Sequence, residues 1–208
     1  MNFADIRKEY TLQAFDVAQA NPDALLQFQK WYAEAEQTLE ATAMHLATVS
    51  PEGKPSARIV LLKGLDTGFV FFTNYQSRKG QNLLANPYAC LTFFWAELER
   101  QIRIEGKIEK IDSAISDEYF YSRPLASQIG ALVSPQSKVV ENREFLEKRF
   151  AELSKEYENK AVQRPENWGG YRLIPEQIEF WQGRESRLHD RLLYTKAENS
   201  WKIERLAP

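Results

Sequence analysis

The chain has 208 residues, enough to bury the core of one sizeable domain, with 43% hydrophobic and 27% charged residues. Its 27 basic and 29 acidic side chains leave a formal net charge of −2, which argues against a general nucleic-acid binder, since displacing counterions needs a basic surplus. A single cysteine, Cys90, rules out an internal disulfide, two histidines without a CxxC pair speak against structural zinc, and no apolar run approaches the ~20 residues of a membrane span.

Met1 to Phe15 mixes Asp5, Arg7, Lys8 and Glu9 among apolar residues and does not read as a signal peptide, so a cytoplasmic setting is expected. Asn21-Pro22-Asp23 reads as a helix start, with Asn21 as N-cap and Pro22 in the first helical position. Leu25, Phe28, Tyr32, Ala35 and Leu39 follow at helical spacing. Ala43 to Val49, Ser56 to Lys63 and Phe69 to Thr73, separated by turn-forming runs, predict a three-stranded meander, with His45 in the core. Ser77 caps a short helix that ends near Asn86-Pro87. Ala89 to Trp95 and Glu99 to Ile111 read as longer strands. In the second, Ile102, Ile104 and Ile108 alternate with Gln101, Arg103, Glu105, Lys107 and Glu109, giving one buried face and one wet or ligand-facing face. Residues 113 to 157 read as helices broken at Pro124 and Pro135. Strands return at Tyr171 to Ile174, Gln177 to Trp181, Arg191 to Tyr194 and Trp201 to Arg205. With no repeat and no linker, residues 1–208 read as a single unit, mainly β with α (α+β): an antiparallel barrel with peripheral helices.

Several clusters carry chemistry. Ser77-Arg78-Lys79 puts two cations in the first turn of a helix, where the dipole disfavours them unless an anion such as phosphate sits among them; two solvated cations are the plainer alternative. Arg123-Pro124 with Ser127 repeats the pattern more weakly. Arg58 and Lys63 bracket a strand on opposite faces. Arg187-Leu188-His189-Asp190-Arg191 is the densest polar group, and in an extended segment Arg187, His189 and Arg191 would share one face, with Asp190 balancing the charge. Trp168-Gly169-Gly170-Tyr171 and Phe180-Trp181-Gln182-Gly183 offer aromatic walls or ordinary core. There is neither a GxGxxG fingerprint nor a P-loop.

Read together, these segments resemble the pyridoxine/pyridoxamine 5′-phosphate oxidase family, which has an FMN-binding split β-barrel of antiparallel Greek-key type. The resemblance runs collinearly from Ile6-Arg7-Lys8-Glu9-Tyr10 through Arg58 to Lys63, Phe72-Thr73-Asn74, Ser77-Arg78-Lys79, Glu99-Arg100-Gln101, Ser122-Arg123-Pro124, Gln177 to Gly183 and Arg187 to Arg191, as far as Trp201 to Pro208. It implies that Arg58, Arg78 and Lys79 hold the FMN phosphate, while Ile59, Val60, Leu61, Leu62, Lys63, Phe72 and Thr73 line the flavin. Gln101 would bond the ring edge, and Gln136, Ser137, Trp181 and Arg191 would reach FMN from the other subunit of a homodimer. Lys63, Tyr119, Arg123 and Ser127 would clamp the substrate phosphate. Arg187, Leu188 and His189 would flank the pyridine ring, with Arg187 and His189 at the reacting carbon. Arg7 and Tyr10 would belong to an N-terminal lid within residues 1–20.

The implied reaction takes a hydride equivalent from the substrate's 4′ carbon to FMN and on to O2, giving pyridoxal 5′-phosphate and H2O2, with NH3 from the amine substrate. No metal is implied. Two departures stand out: Phe72 replaces a tyrosine found in some members, and Lys8 follows Arg7 where a second arginine can occur. A split-barrel flavin oxidase or reductase for another substrate, or a non-catalytic flavin or pyridoxal-phosphate carrier, are the competing readings. The first has no need of the clamp; the second has no need of Arg187 and His189.

Overall fold

The computed structural model describes Asn2 and residues 9–208, so Arg7, expected in the lid, lies outside the described residues. Nine strands form one antiparallel sheet: β1 (Ala43–Val49), β2 (Pro55–Leu61), β3 (Gly64–Leu65), β4 (Phe69–Asn74), β5 (Tyr88–Trp95), β6 (Arg100–Lys110), β7 (Trp168–Gln182), β8 (Asp190–Ala197) and β9 (Ser200–Arg205). They run in the order β2-β1-β5-β6-β7-β4-β3, with β8 beside β7 and β9 beside β8. Strands β5, β6 and β7 are neighbours in sequence order while the earlier β4 lies beside β7, a Greek-key connection.

The two ends of this path are consecutive pieces of one chain segment, so the sheet curls round and meets itself. Leu62 N donates to Thr42 O on the β1 side, and the next residue, Lys63, donates its N–H to Val70 O on the β4 side. Closure is local. Beyond that point β2 pairs with β1 alone among the described strands, and a seam opens between β2 and β4. The barrel is split there. The expected three-stranded meander therefore fails at its third strand: β4 pairs with β7, Phe69 opposite Leu173 and Asn74 opposite Trp168.

Two predicted strands at 171–181 are one long strand, β7. Its first half borders β4 and its second half borders β8, while β6 follows its other edge throughout. The register shifts between Glu105 and Gly106, opposite Pro175, where a residue lacking an N–H costs no ladder bond. Gly106 is required there, because a Cβ would stand 2.0 Å from the Ile174 carbonyl oxygen.

Five α-helices accompany the sheet among the described residues: α1 (Ala24–Ala35), α2 (Arg78–Ala85), α3 (Ser113–Ser122), α4 (Leu125–Val133) and α5 (Arg143–Glu156). The N-cap of α1 is Asp23, whose Oδ1 accepts from Leu25 and Leu26 N; Asn21 instead accepts from Asp23 N, and Pro22 stays outside the helix. Leu39 falls beyond the end of α1 and is exposed. Phe28 and Trp31 of α1 plug the barrel against Phe69, Phe93 and Phe180, each a burial that stabilises by about 1.5–3 kcal/mol. His45 is corrected: Met44 and Leu46 face the core, and the alternation of β1 turns His45 outward. Helices α3 to α5 build a second apolar cluster around Phe120, Ile129, Leu153 and Trp168. Among the described residues no helix is long and apolar enough to cross a membrane.

Candidate functional site

A cavity of about 480 Å³ occupies the seam. Residues 59–61 and Lys63 form one wall, Phe72, Thr73 and Asn74 the other, and α3, α4 and the residues after them cover it with Tyr119, Arg123, Ser127 and Gln136. Ile59 and Leu61 are 53% and 36% exposed, high for apolar side chains on a barrel strand, because β2 has no neighbour on this side.

One end of the cavity is built on the start of α2. Ser77 Oγ accepts from Gly80 N, and Gly80 lies so close to the Tyr75 carbonyl oxygen that a Cβ would meet it at 2.1 Å. This tight corner tucks Lys79 beneath β4. Its Nζ is buried and donates to Thr73 Oγ1 at 3.0 Å and to Gln136 Oε1 at 3.2 Å. Arg58 donates to Leu46 O and Thr48 Oγ1 at 2.9 Å and to Ser56 Oγ at 2.7 Å. Every one of these acceptors is a neutral oxygen. Burial, and then the Arg58 charge, pull the Lys79 ammonium down to about 8, while burial and the exposed Arg78 lower Arg58. A phosphate dianion would relieve this crowding of like charge.

Across the cavity, Arg123 caps the C-terminus of α3 in extended conformation, as a residue before proline prefers, and Pro124 is the N-cap of α4 rather than its first helical residue. Its guanidinium lies 4.7 Å from the Trp168 ring centroid, and NH1 is buried without a hydrogen-bond partner. Burial lowers its pKa. Lys63, Tyr119 and Ser127 line the same space. Phe72, Tyr119 and Trp168 stand nearly parallel, with 24° between Phe72 and Tyr119 and 13° between Phe72 and Trp168.

The remaining expected residues gather elsewhere. Gln101, Trp181 and Arg191 are opposite one another on β6, β7 and β8, forming a row outside this cavity. His189 lies 4.6 Å from Trp181 with the rings tilted 47° to one another, and Tyr10 meets the Trp181 ring edge-on at 5.6 Å. The extended run expected from Arg187 to Arg191 is corrected: Glu185–Arg187 is a 3-10 turn with Ser186 and Arg187 at φ 55 and 61, and the strand begins at Asp190. Leu188 is exposed. His189 Nδ1 accepts from Arg184 N, and burial together with Arg187 and Arg191 lowers its pKa, favouring neutral imidazole. Asp190 does not serve the cluster as a free counter-charge; it accepts from Phe15 N, Arg184 and Arg205.

Gln136, expected from another subunit, bonds Lys79 and Thr73 of its own chain, and Ser137 follows it at φ 69. Two residues received no role from the sequence. Buried Glu179 accepts from Arg191 Nε at 2.7 Å and Arg103 NH1 at 3.1 Å, and Glu99 Oε2 accepts from Thr11 and Leu12 N, fastening the N-terminal segment. Their only sequence signal is an acid on an otherwise apolar strand or at a strand end.

Comparison with known proteins adds the family. A family model described as pyridoxamine 5′-phosphate oxidase matches residues 32–157, and one described as the pyridoxine 5′-phosphate oxidase C-terminal dimerisation region matches 168–208. A pyridoxine/pyridoxamine 5′-phosphate oxidase of Nostoc sp. is 56% identical over 99% of this chain and 98% of its own, and one of Paraburkholderia xenovorans is 55% identical over 100% and 99%. Among solved structures, PhzG from Burkholderia lata in complex with tetrahydrophenazine-1-carboxylic acid aligns with a TM-score of 0.89 at 30% identity, covering 95% of this chain and 100% of that one. A pyridoxamine 5′-phosphate oxidase-related, FMN-binding protein from Nostoc punctiforme shares the fold, with a TM-score of 0.70 at 18% identity over 87% and 95% of the two chains.

Proposed function

Since the chain belongs to the pyridoxamine 5′-phosphate oxidase family, we propose that it oxidises pyridoxamine 5′-phosphate or pyridoxine 5′-phosphate to pyridoxal 5′-phosphate, using FMN and O2 and releasing H2O2, with NH3 from the amine. The observation that carries this reading is a single cavity lined by two anion-ready ends: Lys79 at the start of α2, with the Arg58 charge nearby outside the lining, and Arg123 at the end of α3, which has no carboxylate partner among the described residues. Two phosphate esters, one on the cofactor and one on the substrate, match two such ends. A generic flavin oxidase needs only the first.

The residues fit the flavin. Arg58, Arg78, Lys79, Thr73 and Gln136 supply donors for its phosphate, and the unpaired edge of β2 supplies backbone groups and two apolar side chains for a flat ring. When bound, the flavin supplies the two-electron acceptor chemistry that no side chain here offers. Lys63, Tyr119, Arg123 and Ser127 hold the substrate phosphate. A second copy of the chain in a homodimer brings Gln101, Trp181, Arg187, His189 and Arg191 to the seam of the first, which accounts for a row of site residues lying outside the cavity of its own chain. Neutral His189 and Arg187 orient the ring and polarise the reacting carbon by hydrogen bonding.

The test is direct. Purified protein should be yellow or bind added FMN, and pyridoxamine 5′-phosphate should produce peroxide, with unphosphorylated pyridoxamine a poor substrate. Equal turnover of the two amines would return the generic oxidase to favour.

A further inference from the structure

Arg123 is held without a carboxylate among the described residues. Its backbone is fixed by Pro124 and by Gln128, whose Nε2 donates to the Arg123 carbonyl at 2.8 Å. Its guanidinium is placed by rings: Trp168 at 4.7 Å and Phe120 at 5.7 Å. A carboxylate would grip the guanidinium through its N–H edge and neutralise it. A ring face grips the flat surface and leaves the N–H edge without a protein acceptor: Arg123 lines the cavity, and its NH1 has no hydrogen-bond partner. Trp168 is itself immobilised. It is 7% exposed, stacked on Phe72 at 5.6 Å, edge-on to Phe120 at 5.1 Å, and its carbonyl accepts from Arg164 NH1 at 2.6 Å.

We infer that Trp168 is a positioning residue for phosphate-ester specificity, a shelf that holds the Arg123 guanidinium face-on so that its free edge meets the substrate phosphate. This rests on the phosphate reading of the Arg123 end given above and deepens it.

In the FMN-loaded protein, Trp168→Leu removes the ring face. The KM for pyridoxamine 5′-phosphate should rise about 5- to 30-fold, the range of a desolvated cation–π contact. The kcat should change by less than about twofold, and unphosphorylated pyridoxamine should be unaffected. Trp168→Phe keeps a smaller ring and should fall between wild type and leucine; it also serves if leucine at this buried position prevents folding. Inorganic phosphate binding, read by calorimetry without turnover, should weaken in parallel. In an Arg123→Ala background neither Trp168 substitution should cost anything further. If the Trp168 variants cost the same factor with and without Arg123, or weaken both amines alike, the shelf is overturned and the phosphate reading stands. If Arg123→Ala itself leaves phosphate binding unchanged, the phosphate reading fails and takes the shelf with it.

Discussion

With Lys79 as the proposed holder of the FMN phosphate, FMN affinity should depend on pH in a way that can be worked out in advance. Burial and Arg58 bring its ammonium from 10.5 to about 8 in the cofactor-free chain, so about half of the molecules carry the charge at pH 8 and about one-tenth at pH 9. A phosphate dianion against Nζ favours the charged form, so the complex holds this proton to a higher pH than the free chain. Binding then takes up a proton above pH 8. Affinity should be flat near pH 7 and fall as pH rises through 8, approaching tenfold, or about 1.4 kcal/mol, per unit. Between pH 7 and 9 the loss is about tenfold. The stability of the cofactor-free chain runs the other way: with the folded pKa depressed, the unfolded chain binds more protons from about 8 to 10.5, and the penalty for burying this lysine shrinks as pH rises through that window. Flavin-fluorescence titrations from pH 7 to 9.5 on wild type and Lys79→Arg would read the slope. The guanidinium of the variant stays protonated throughout, so its curve should be flat. A wild-type Kd constant to pH 9.5, or an equal slope in both proteins, would refute the assignment.

Arg58→Ala should weaken FMN by roughly 1.5–3 kcal/mol, the scale of hydrogen bonds to a charged group, in the same titration at pH 7. Mixing inactive Arg58→Ala with inactive Arg191→Ala subunits should restore activity at about one site per mixed dimer; no recovery despite proven subunit exchange would count against sites shared between copies. Gly183→Ala would put a Cβ 2.7 Å from Cβ and Cγ of Tyr10, so the N-terminal segment should leave Trp181 and be cut faster in limited proteolysis. An unchanged cleavage rate would show that Tyr10 does not need that seat.

How much of this was legible beforehand depended on the range of the interaction. Most strands and the start of α2 followed from alternation and the Ser77 cap, because those signals are local, whereas the prolines placed the starts of α1 and α4 only to within a residue or two. The partner of β4 was not legible, since Phe69 meets Leu173 across a span no periodicity reports. Nor was the outward turn of His45, because an apolar run leaves the choice of face to the sheet. Arg78 and Lys79 were recognisable from their placement at a helix start, and Arg58 and Lys63 from bracketing an apolar strand. Periodicity alone did not separate them into two groups, because that depends on β7 changing neighbours midway; only the family resemblance implied it. The contact of Gln136 with Lys79 was not legible either, because it depends on how the segment after α4 returns over the seam. Nothing in Arg-Glu-Ser-Arg signals the positive φ at Ser186 and Arg187, so the sequence alone predicts an extended run there.

The open edge of β2 has a consequence for the life of the protein in a cell. An unpaired strand flanked by half-exposed Ile59 and Leu61 is the kind of surface on which chains template onto one another. A ligand lying along that edge would block such templating as well as serve the reaction, and its free concentration would set the folded fraction by mass action. Freshly made chains would then be soluble in proportion to flavin supply, and a substitution that weakens flavin binding would show first as lost protein and only later as lost turnover.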